Sequence, residues 1–141
     1  MHLKKGEKLK MGPLWDFDLA FGNSLWGKDA MNPHAFYLNN VKWFSRLLTD
    51  PAFVTKVKER FNYFYGRQND IYAYINDTAV YLKYAAQENE NRWNTLYVNL
   101  NYPVSPKELN VWGSYYNEVQ SMKSFLADRL EWLNVEINNL H

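Results

Sequence analysis

The sequence predicts a mainly α domain with an N-terminal β-hairpin. Three observations predict it. Apolar residues recur at helical spacing from Val41 onward, a Gly6-Glu7 turn sits between short β-compatible runs, and Asp-Pro and Ser-Pro pairs mark helix starts. At 141 residues, 47% of them hydrophobic, the chain has material for one domain with a sizeable core rather than for a disordered segment. It divides into 1–23 (hairpin and a strand with two acids), 24–39 (a loop) and 40–141 (helical).

Met1–Lys10 reads as the hairpin, its turn at Gly6-Glu7. Next comes Gly12-Pro13-Leu14-Trp15-Asp16-Phe17-Asp18-Leu19-Ala20-Phe21-Gly22-Asn23, an apolar run that carries two acids and ends at a Gly-Asn turn. Ser24 to Asn39 holds Gly27, Pro33 and polar residues and reads as a long loop. Loops of that length are often functional. Its Trp26, His34 and Phe36 have two readings: they face the acids, or they staple the loop to the helical body.

The helices follow from Val41. Val41, Phe44, Leu47 and Leu48 share a face. Asp50-Pro51 ends that helix and starts the next, with Asp50 as N-cap and Pro51 at the first helical position. Phe53, Val54, Val57, Phe61 and Phe64 form its apolar stripe, and Gly66 ends it. A third helix opens near Asn69 or Asp70 and buries Ile71, Ile75, Ala79, Leu82 and Ala86, running toward Trp93 and Leu96. Ser105-Pro106-Lys107-Glu108 makes a capping box for the last helix. That helix carries Leu109, Trp112, Tyr116, Val119, Met122, Leu126, Leu130, Leu133 and Ile137 on one stripe, with a break at Gly113 and a fresh cap at Ser114. Arg129 within it reads as a structural interface residue rather than a catalytic group, with a buried ion-pair anchor as another reading.

Several function classes are excluded. A net charge of +1 gives no whole-chain field for nucleic acid or an anionic membrane. The cluster Lys4, Lys5, Lys8, Lys10 reads as a solubilised hairpin edge, with a phosphate clamp as the second reading. No cysteine is present, so disulfides and thiolate metal sites are impossible. His2, His34 and His141 are scattered and give no histidine metal site. No apolar run approaches the ~20 residues of a membrane span.

The chemistry rests on Asp16 and Asp18. Burying an unpaired carboxylate costs several kcal/mol, so two acids in an apolar run need a cation or backbone donors. If Leu14 to Leu19 is extended, both acids point the same way, with Cβ atoms roughly 7 Å apart. Trp15, Phe17 and Leu19 then fill the opposite, buried face. Such a pair suits a hard cation that also touches phosphate oxygens, Mg²⁺ or Mn²⁺. On spacing alone a second reading stands: each acid caps a turn or accepts a backbone hydrogen bond.

The string Lys8 to Asn23 resembles the "GPxWDxDxxxGN" signature of CotH-like proteins, the spore-coat-type atypical kinases. Residues Gly12, Pro13, Trp15, Gly22 and Asn23 support the match around the two acids. The resemblance implies the C-terminal lobe of a protein-kinase-like fold, in which the W-D-x-D segment stands where kinases carry their metal-binding Asp-Phe-Gly. It implies Asp16 as main Mg²⁺ (or Mn²⁺) ligand beside ATP, and Asp18 as second or water-mediated ligand. It also places the nucleotide-gripping lobe and the catalytic loop before the hairpin. The chain is therefore expected to be the C-terminal part of a longer protein, with no identifiable catalytic base of its own and no activity alone. Its partners by resemblance are that upstream lobe and a protein phosphoacceptor, in a cell-surface, secreted or coat-associated setting.

Two other function classes remain. Six Trp, eleven Tyr and eight Phe suit a helical module that binds glycan or peptide through an aromatic surface. Tyr72, Tyr74, Tyr81 and Tyr84 extend beyond the third helix's core stripe, which fits such a surface, packing against an upstream lobe, or rings buried with their hydroxyls in water. The third class is a structural surface or coat protein whose carboxylates are a relic.

Overall fold

The computed structural model describes residues 3–10, 12, 17, 20–22, 31–36, 41–93 and 115–141. Among the described residues the regular elements are four helices: α1 (Lys42–Leu47), α2 (Pro51–Tyr65), α3 (Gln68–Trp93) and α4 (Tyr115–Asn138). Among the described residues no helix is long and apolar enough to cross a membrane.

The Asp50-Pro51 boundary falls where the sequence puts it. Asp50 is extended, its carboxylate accepts the Ala52 N–H at 2.9 Å, and Pro51 opens α2. A cap of this kind contributes about 1 kcal/mol to helix stability. Gly66 ends α2, but at φ −64, in the right-handed region rather than the left-handed one typical of a glycine cap. The joint is therefore only Gly66-Arg67, and Arg67 Nε reaches Asp70 at 2.9 Å in the first turn of α3. The capping box Ser105–Glu108, with Leu109, Trp112, Gly113 and Ser114, lies outside the described residues, as does Leu96.

Both α2 and α3 pack on α4. Three pairs run in opposite chain order along α3 and α4, so these two helices are antiparallel. Tyr115 Oη donates to Ala79 O at 3.1 Å, Lys123 Nζ donates to Asn76 Oδ1 at 2.9 Å, and Tyr72 feels the charge of Asp128. At the far end Asn62 of α2 and Asn138 of α4 exchange reciprocal amide hydrogen bonds at 3.0 and 3.1 Å. The buried core among the described residues is Val54, Leu126, Leu130 and Ile137, so three of its four members come from one stripe of α4.

Some expected stripe positions stay exposed: Val41, Leu47, Phe64, Leu82 and Tyr116. α1 has six residues and buries none of them. Tyr116 and Val80 line an open groove between α3 and α4, where no third described element closes over them.

The described residues of the expected hairpin, 3–10, show no paired strands. Among the described residues the only bridge is at Lys10. There is a turn, one residue earlier than expected: Glu7 N–H donates to Lys4 O at 3.0 Å, with Gly6 at φ +80 in the third position. That position requires positive φ in a type II turn, and glycine adopts it without steric cost. The lysines flanking it are exposed, and Lys10 pairs with Glu7 at 2.6 Å.

Candidate functional site

The acidic motif is described at Gly12, Phe17, Ala20, Phe21 and Gly22. Asp16 and Asp18, with Pro13, Trp15 and Asn23, lie outside the described residues. Ala20 N–H donates to Phe17 O at 3.0 Å and closes a tight turn, sooner than the Gly22-Asn23 turn expected to end the run. Phe17, expected on a buried face, is 59% exposed.

The run then bends sharply. Phe21 and Gly22 both have positive φ, +58 and +80. Such a conformation strains a phenylalanine, so something must hold it. The ring of Phe125 on α4 meets Phe21 edge-on, with centroids 6.4 Å apart. The same ring lies so close to Gly22 that an added Cβ would come within 3.0 Å of its Cδ2. Glycine is thus required here twice over, by backbone conformation and by the approach of the ring.

One helical turn further along α4, Arg129 takes hold of the loop. Its Nη1 donates to Pro33 O at 2.8 Å and also to Ala35 O. Its guanidinium lies 5.5 Å from the centroid of the Trp132 ring. Trp132 in turn stacks with His34 (6.3 Å, 25°) and meets Phe36 at 5.0 Å. His34 N–H donates to Asn32 Oδ1 at 2.9 Å and fixes the bend at Pro33. Burial pulls the Arg129 pKa below its ordinary value, but an arginine remains charged at any physiological pH. His34 and Phe36 therefore staple the loop to α4, and Arg129 is a structural interface residue whose described partners are backbone carbonyls and not an ion pair. Trp26 lies outside the described residues.

A sequence model of the CotH kinase family, described as CotH kinase protein, matches residues 1–133. The chain belongs to the CotH kinase family. No curated protein and no solved structure matches it. The CotH match takes in the acidic motif, the loop and α1 to α3, and it runs along α4 past Phe125, Arg129 and Trp132.

Among the described residues no group of three or more His, Cys, Asp or Glu is placed to hold a metal. The sequence reading missed Phe125 and Trp132. With Arg129 they stand at i, i+4 and i+7, a second stripe about 100° around α4 from the core stripe of Leu126 and Leu130. That spacing was the available signal.

Proposed function

We propose that this CotH-family chain supplies the metal-binding carboxylates of a phosphotransferase, as the C-terminal lobe of a kinase-like fold. The observation that carries this reading is the family match across Gly12 to Asn23, where Asp16 and Asp18 stand two residues apart. On this reading the two acids hold Mg²⁺ or Mn²⁺ beside ATP. Such an ion, when bound, neutralises charge on the phosphate oxygens. Phosphate clamps and the base that orients the acceptor come from an upstream lobe, so the chain is inactive alone. The acceptor is a protein, and the setting is cell-surface, secreted or coat-associated.

The test is a Mn²⁺ titration followed by amide line broadening. Selective broadening around Asp16 and Asp18, lost in Asp16→Ala, is the expected result. Absent or uniform broadening at millimolar Mn²⁺ overturns the reading.

One observation favours a second reading, a glycan- or peptide-binding module. Tyr74, Tyr81 and Tyr84 lie along the outer face of α3 with 72%, 84% and 79% of their surface exposed. Tyrosine rings displayed in this way suit sugar or peptide stacking. A glycan and peptide panel that leaves their ring resonances unmoved removes this reading.

A further inference from the structure

We propose that Phe125, Arg129 and Trp132 of α4 form a rail that positions the acidic motif for its cation. This deepens the metal reading and rests on it. The three side chains lie on one stripe and span about 10 Å of helix. Phe125 holds Phe21 and Gly22, while Arg129 and Trp132 hold Pro33 to Phe36. The chain on both sides of residues 23–30 is thus fixed to the same face of one helix.

The rail reaches the acids through a short path. Phe125 seats Phe21, whose neighbour Ala20 donates its N–H to the carbonyl of Phe17. Phe17 is the residue between Asp16 and Asp18. One ring contact alone leaves that turn free to pivot about it. The second hold, at Arg129, lies beyond residues 23–30, where Nη1 donates to two carbonyls at once. Among the described residues Arg129 pairs with no carboxylate. Its partners are backbone oxygens, so it reads the course of the loop and not the identity of the loop's side chains. These are positioning residues: the contacts described for them are with the chain itself. Positioning matters here because two carboxylates serve one ion only when both are aimed at it, and outer-shell supports of this kind commonly contribute 10–100-fold in metal affinity.

The experiment combines Mn²⁺ affinity, the amide spectrum without metal, and the melting temperature. Arg129→Lys keeps the charge but replaces the planar guanidinium, which lies over Trp132 while holding both carbonyls, by a shorter ammonium. It is expected to shift the metal-free amide resonances of Ala20 to Gly22 and to weaken Mn²⁺ by about 10-fold. Trp132→Phe keeps a ring for His34 and Phe36 and retains affinity within about twofold, whereas Trp132→Ala follows Arg129→Lys. Leu133→Ala, on the core side of α4, lowers the melting temperature and leaves Mn²⁺ affinity within about twofold. Wild-type affinity in Arg129→Lys overturns the rail and leaves the metal reading standing. So does an affinity loss that tracks melting temperature through Leu133→Ala. A wild-type chain without localised broadening overturns the metal reading, and the rail with it.

Discussion

The helical body and the N-terminal segment are held by different forces, although both lean on α4. The body is joined by burial: Leu126, Leu130 and Ile137 of α4 and Val54 of α2 lose nearly all contact with water. The segment from Leu3 to Phe36 buries no residue fully among those described, and Phe17 and Phe21 stay open to solvent. It is held at points, by the edges of Phe125 and Trp132 and by the Arg129 guanidinium on backbone carbonyls. Burial is non-directional and tolerates small shifts, whereas a guanidinium on two carbonyls fixes direction. One helix thus carries a stability stripe and, about 100° away, a stripe that sets the course of an irregular segment. Mutations on the two stripes should separate these roles.

The largest effect is expected at Leu130, which is 2% exposed. Leu130→Ala should cost roughly 2–5 kcal/mol of unfolding free energy, as for other buried leucines cut to alanine. Both regions should fail together in chemical denaturation, since the segment has no other described support than α4. A variant in which α2 and α3 melt while Phe21 keeps its contact with Phe125 would break the comparison.

Gly22→Ala should act on the segment alone. Its backbone is left-handed, which costs an alanine about 1 kcal/mol. Its new Cβ would also stand 3.0 Å from the Phe125 ring, which must turn away from Phe21 to make room. The expected result is a changed Phe21 and Phe125 ring spectrum, with global stability lowered by only about 1 kcal/mol. A loss as large as that of Leu130→Ala would show that the segment belongs to the same cooperative core.

The same contrast explains how much was legible in the sequence. The Asp50-Pro51 boundary, the span of α2, the start of α3 and the buried positions of α4 follow from periodicity and caps, because local rules act there. Phe64 and Tyr116 fit the period yet stay exposed, because periodicity names a face and not its partner. Phe125 and Trp132 escaped notice because their partners lie in an irregular segment that has no period to match. The acidic motif was legible through its resemblance to a family, which the CotH match bears out.

The smallest effect is expected at Glu118, in the first turn of α4. A helix N-terminus favours a charged carboxylate there. Burial works against it and prevails, raising the Glu118 pKa above the ordinary carboxylate value. The sign follows. Between the unfolded and the raised folded pKa the folded chain binds more protons, so stability falls as pH rises. The contribution of Glu118 is fully present below its unfolded pKa and is lost as pH climbs through the folded one. Glu118→Gln removes that dependence. Its stability relative to wild type should therefore improve as pH goes from ~4 to ~7 in denaturant melts. The amide resonances of Ala20 to Gly22 should stay in place throughout, because Glu118 lies on α4 two turns before Phe125. A difference between variant and wild type that does not change with pH would show that burial does not govern this carboxylate.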